Sequence, residues 1–156
     1  MEDILDLYAE PDDPRYPQVC FDESPVQLTS ETRHPLPARP GQPACHDSEY
    51  KREGTANLFL FVQPLRGWRH VNVTCQRTKR DFAEQMRRLV DEYFPTAERI
   101  RLVMDHLNTH TPAALYGVFP PEEARRITRK LEFHYTPKHG SWLIHGRPCL
   151  LQATNR

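Results

Sequence analysis

Two short apolar runs end in a carboxylate, Gln18-Val19-Cys20-Phe21-Asp22-Glu23 and Arg101-Leu102-Val103-Met104-Asp105-His106. Buried strands with Asp at their tips are a means of building a divalent-metal site. A hard cation such as Mg²⁺ takes oxygen ligands in a rigid arrangement, and carboxylates projecting from neighbouring strand ends supply them with little ordering cost. Asp after a strand is also an ordinary turn former that bonds its own backbone, and spacing alone favours that simpler role. The balance shifts with the residues after Asp105: His106-Leu107-Asn108-Thr109-His110-Thr111-Pro112 gathers ligand-capable side chains into a loop ahead of a helix. Loops held by a rigid scaffold are where sites concentrate.

The elements that must position this pair can be read in order. Met1 to Pro17 is a short amphipathic piece, with Ile4, Leu5 and Tyr8 on one side, then a proline-broken arm entering the domain. Val19 to Asp22 is a first strand, and Ser24 to Gly54 a long connection holding five prolines, expected to be functional or partly hairpin. Leu58-Phe59-Leu60-Phe61-Val62 marks a buried strand over Thr55 to Gln63, turned by Pro64-Leu65-Arg66-Gly67 into an antiparallel partner, Trp68 to Thr74. Thr78-Lys79-Arg80-Asp81 resembles a capping box, and Phe82, Met86, Leu89, Val90 and Tyr93 then recur at helical spacing until Pro95. Ile100 to Asp105 is the next strand. Pro112 opens a short helix to Phe119, Pro120 to Leu131 is a helix with acids first and bases last, and Leu131 to Tyr135 is a final strand. This order predicts an α/β domain, a mixed sheet with flanking helices.

Composition narrows the class. The 156 residues suit one domain; 38% are hydrophobic and 27% charged, a globular balance, while 15 prolines imply prominent loops. The formal charge is zero but unevenly spread: residues 1–24 hold eight acids and one base, leaving 20 bases against 13 acids in the rest. That excess favours a phosphate-backbone partner, although a solvated mixed surface accounts for it as well. Cys20, Cys45, Cys75 and Cys149 show no zinc-binding spacing and read as reduced thiols of a cytosolic protein. Met1-Glu2-Asp3 is acidic where a signal peptide needs bases, and the longest apolar run, Leu58 to Val62, is too short to span a membrane.

Carboxylates at two central strand tips match the ribonuclease-H-like way of holding metal ions for phosphodiester cleavage and joining. At this point the chain resembles the insertion-sequence transposases of the mariner-like superfamily, in the bacterial branch named after insertion sequence 630. The matching stretches are Val19 to Glu23, Ala38-Arg39-Pro40-Gly41-Gln42, Tyr50 to Phe59, Asp105 to His110, and His134-Tyr135-Thr136-Pro137-Lys138-His139-Gly140-Ser141-Trp142-Leu143. The resemblance implies a ribonuclease-H-like catalytic domain over 18–143, preceded by a linker or arm over 1–17. It makes Asp22 and Asp105 catalytic ligands of Mg²⁺ or Mn²⁺ and DNA the partner. Lys51, Arg52, Lys138 and His139 become candidate DNA contacts, although exposed bases are more often merely solubilising. Asn108 would shape the loop beside the second Asp, and Glu23 would be a supporting or surface acid. A cytoplasmic protein of bacteria, associated with the nucleoid when bound to DNA, is the matching location.

Two departures from the family pattern bear on activity. The family continues after Ser-Trp-Leu with Asn-x-Ala-Glu, whose Glu is the third ligand on a helix covering the sheet. Here Leu143 is followed by Ile144-His145-Gly146-Arg147, with Arg147 in place of that Glu and no acid after Glu132. The stretch 144–156 is therefore expected to be a divergent, out-of-frame tail, with the C-terminal catalytic helix missing and one face of the sheet exposed. The short N-terminal piece also implies that the helix-turn-helix region that reads element ends is missing. The expectation is a transposase fragment, inactive alone. A second reading is a non-enzymatic module that associates with full-length transposase, with itself or with DNA and dampens transposition. A third is an unrelated nuclease of the same fold using Glu23 or Glu132 as last ligand.

Overall fold

The computed structural model describes residues 2–33, 36–44, 49–105, 110–138, 140 and 143–144. Five strands form one mixed sheet: β1 (Gln18–Glu31), β2 (Tyr50–Gln63), β3 (Trp68–Thr74), β4 (Ile100–Met104) and β5 (Leu131–Tyr135), in the spatial order β3-β2-β1-β4-β5. β1 is central, antiparallel to β2 and parallel to β4; β3 continues the antiparallel side and β5 the parallel side.

Strand alternation sends neighbouring side chains to opposite faces. Val19, Phe21, Phe59, Phe61, Ile100, Leu102 and Met104 enter the larger core, whereas Cys20, Leu60, Val62 and Val103 enter a smaller one behind the sheet. Phe21 anchors the first, its ring 5.0 Å from Phe61, 5.9 Å from Phe59 and 5.8 Å from Phe82. Burying each such ring is worth roughly 1.5–3 kcal/mol. Helix α2 (Lys79–Arg88) closes this face with Phe82, Ala83 and Met86, joined by α3 (Pro112–Tyr116) and α4 (Pro121–Lys130) through Ala114, Leu115, Ala124 and Ile127. The expected capping box starts α2: Thr78 accepts from the Asp81 amide and Asp81 from the Thr78 amide. Past Arg88 the helix widens into a π-turn over Leu89–Tyr93, which seats the Tyr93 hydroxyl 2.7 Å from His70 Nε2 on β3.

The smaller core is covered by α1 (Glu2–Ala9), which buries Ile4 and Leu7 with Leu143 and Ile144. Leu5, expected on the apolar side, is instead about half exposed, and Leu7 takes its place. Gln18 Nε2 donates to the Leu7 carbonyl and the Tyr8 hydroxyl to the Leu143 carbonyl. Both bonds tie this layer to the sheet.

The strand expected to stop at Asp22 runs on to Glu31, and its partner starts at Tyr50 rather than Thr55. The two ends of the long connection thus pair as an antiparallel ribbon that continues β1 and β2. Its register slips between Leu28 and Thr29, where Gly54 stands opposite Leu28 with φ +126°. Only glycine adopts that backbone readily.

Candidate functional site

Parallel pairing of β1 with β4 brings both acids to the same end of the sheet. The register runs Gln18↔Arg101, Val19↔Leu102 and Cys20↔Val103, so Asp22 and Asp105 each stand two residues beyond the last pair, at the carboxyl end of β4. Asp22 is buried, in the ladder opposite Leu60, and its Oδ1 accepts from the Glu23 amide at 3.0 Å. Asp105 follows Met104 directly and is one-quarter exposed at its side chain.

His110 holds the second acid. Its Nδ1 donates to Asp105 Oδ1 at 2.9 Å and its Nε2 to Glu23 Oε2 at 3.2 Å. Ionised carboxylates only accept, so both ring nitrogens must carry protons for both bonds to exist. The ring is wholly buried, stacked on Phe82 at 4.9 Å and edge-on to Phe21 at 5.3 Å. Burial pushes the imidazole toward its neutral form, but the hydrogen bonds and charges of Asp105 and Glu23 outweigh it and raise its pKa from 6.5 to about 9. The His110 carbonyl accepts from the Tyr135 hydroxyl at 3.0 Å, and Glu23 Oε1 pairs with Arg77 at 3.3 Å. His110 and Arg77 join the site in addition to the residues that the sequence singles out. The one available signal was the position of His110 at the end of the polar loop that begins at Asp105.

The donor chemistry fits one hard cation. Carboxylate oxygens are the ligands Mg²⁺ and Mn²⁺ prefer, and Mg²⁺ commonly uses one or two of them, with water and phosphate oxygens filling the remaining positions. Asp105 gives one oxygen to His110, and its Oδ2 has no hydrogen-bond partner among the described residues. Among the same residues no group of three potential ligands is assembled. Glu23 is occupied by His110 and Arg77. Glu132 is bonded to His134 and lies beside Arg101, towards the opposite end of β4 from Asp105. Neither acid is therefore placed as a third ligand, which disfavours the unrelated-nuclease reading.

The candidate DNA contacts separate in space. Lys51 and Arg52 are exposed on the ribbon, Lys51 paired with Glu53 at 3.1 Å. Arg52 pairs in register with Thr29, seven residues along β1 from Asp22; at about 3.3 Å per residue that is roughly 23 Å. Lys138 is exposed three residues past Tyr135, at the Asp105 end of the sheet. Asn108, His139 and Arg147 lie outside the described residues.

Residues 17–144 match the family model described as DDE superfamily endonuclease. Solved structures share the fold. The Mos1 strand transfer complex aligns with TM-score 0.57 and 16% identity, covering 98% of this chain and 45% of that one. A pre-cleavage Mos1 transpososome aligns at 0.56 and 17%, covering 99% and 48%. The Mos1 mariner paired end complex with Mn aligns at 0.52 and 16%, covering 97% and 45%. The chain spans about half the length of these relatives. No curated protein matches the sequence.

Proposed function

The chain belongs to the DDE superfamily endonuclease family, and on that premise we propose that it is the catalytic core of a mariner-like DNA transposase, with Asp22 and Asp105 as its divalent-metal ligands. The observation carrying this reading is the β1–β4 register, which sets both acids at matching positions beyond Cys20 and Val103. The likeness to Mos1 complexes, one of them with Mn, supports DNA as substrate and Mg²⁺ or Mn²⁺ as cofactor. The five matching sequence stretches support the bacterial insertion-sequence branch, and with it a cytoplasmic, nucleoid-associated location. No helix among the described residues is long and apolar enough to cross a membrane.

A bound cation would polarise a phosphate oxygen and lower the pKa of an attacking water or 3′-hydroxyl. The protein's own part is to present two carboxylates on the rigid central strands. Buried Asp22 is fixed by the ladder and by the Glu23 amide, and Asp105 is oriented through its Oδ1 while Oδ2 stays open. Lys138, exposed at the same end of the sheet, is available to a phosphate backbone.

The test is nicking of supercoiled plasmid in Mn²⁺ by the 156-residue chain and by Asp22→Asn and Asp105→Asn. Weak cleavage lost in both variants supports the reading; equal cleavage by all three proteins overturns it. Because no group of three potential ligands is assembled among the described residues, a second reading is a non-enzymatic fragment that binds full-length transposase or DNA and dampens transposition. Absence of nicking, combined with co-purification with full-length transposase, would favour it.

A further inference from the structure

Between Asp105 and the opposite face of β1 lies a side chain whose whole hydrogen-bonding capacity is spent on two acids. The geometry points to His110 as a positioning residue that fixes the Asp105 carboxylate for the cation, with Glu23 as its second anchor. This rests on the reading of Asp105 as a metal ligand. β4 ends at Met104, so Asp105 stands outside the ladder that fixes Asp22. His110 supplies the missing restraint. Its Nδ1 bond takes Oδ1 and leaves Oδ2 open, while its Nε2 bond reaches Glu23, the residue after Asp22. One ring thus ties the acid that follows β4 to the strand carrying the other acid.

The ring cannot slip from this position. It is buried between Phe82 and Phe21, its own carbonyl is held by the Tyr135 hydroxyl, and Glu23 is braced from outside by Arg77. A histidine kept only for packing has no need of two carboxylate partners. An apolar ring would fill the same space without the cost of desolvating three charged groups. Partners that orient a metal ligand typically change metal affinity about 10–100-fold when removed.

The experiment measures Mn²⁺ affinity of the 156-residue chain from the electron paramagnetic resonance signal of free Mn²⁺, with melting curves alongside. His110→Phe keeps the ring contacts and removes both hydrogen bonds, and is expected to bind Mn²⁺ about 10–100-fold more weakly. His110→Ala should regain affinity with added imidazole but not with thiophene, a ring of similar size without an N–H; the Asp105→Asn protein with imidazole serves as control. Glu23→Gln, which leaves the ring in place and weakens its second anchor, is expected to fall between wild type and His110→Phe. It decides the matter if His110→Phe does not fold. Folded His110→Phe and Glu23→Gln proteins that bind Mn²⁺ like the wild type overturn the positioning role alone. Wild-type affinity unchanged by Asp22→Asn and Asp105→Asn overturns the metal-site reading and this inference with it.

Discussion

The two faces of the sheet are built to different standards, although the same strands line both. On one face Phe21, Phe59 and Phe61 meet three helices and the ring of His110. On the other, Cys20, Leu60 and Val103 meet α1 and residues 143–144, while Val71 and Val73 at the β3 edge remain exposed. The densely packed face holds the groups that orient the site, Glu23 and His110. Alternation along β1 places Asp22 on the thinner side, with Cys20. The difference teaches that packing is divided unequally between the faces: the denser one carries the histidine that bonds Asp105, and the thinner one carries Asp22 beneath a single short helix.

Truncations at adjacent residues of β2 should expose this asymmetry most strongly. Phe61→Ala, on the packed face, is expected to lower unfolding free energy by about 3–5 kcal/mol in urea titration. Leu60→Ala, one residue away on the thinner face, should cost about 2 kcal/mol, because a single covering helix can relax into the space. Equal losses, or the reverse order, would break the comparison. Within the helical layer, Thr78→Ala removes the cap of α2 and should cost about 1 kcal/mol in the same assay.

Smaller effects sharpen the picture at the periphery. The hydrogen bond from Arg126 lowers the Asp91 pKa below 3.8 and links the π-turn to α4 at the rim of the packed face. A carboxylate whose pKa falls on folding contributes stability above its unfolded pKa and loses it as pH drops through the folded value. Both partners are substantially exposed, so Asp91→Asn should cost only about 0.5 kcal/mol at neutral pH, and the difference should shrink as melts are run at successively more acid pH and the carboxylate is protonated. Val73→Lys, at the open edge of the thinner face, should leave stability within about 0.5 kcal/mol and reduce light scattering at high concentration.

Most of the element order was legible because period and punctuation agreed. The β2–β3 hairpin turned at Pro64-Leu65-Arg66-Gly67, α2 began at its capping box, and β5 occupied its expected residues. The ribbon escaped because a polar stretch with Pro25 does not look like a strand. Parallel pairing with β4 covers only Gln18 to Cys20, and among the described residues no strand pairs with that edge of β1 beyond it, so proline's missing N–H costs little. In α1 the buried side includes Leu7 and not Leu5: both are apolar, and only the packing against the sheet separates them. At the candidate site, apolar runs ending in Asp singled out two residues that the β1–β4 register sets at the same end of the sheet. The bonding of His110 was not legible, since its three partners come from β1, the residue after β4, and β5, and meet only when the parallel strands are in register.

One consequence concerns the outer ribbon. At Gly54 an added β-carbon would meet nothing within 4 Å, so the restriction lies in the backbone angle and not in crowding. The direction of the arm therefore depends on a residue without handedness. Any L-substitution there must re-aim the arm or accept torsional strain, however small its side chain, whereas the mirror-image D-alanine would fit and leave the unfolded chain fewer conformations to lose.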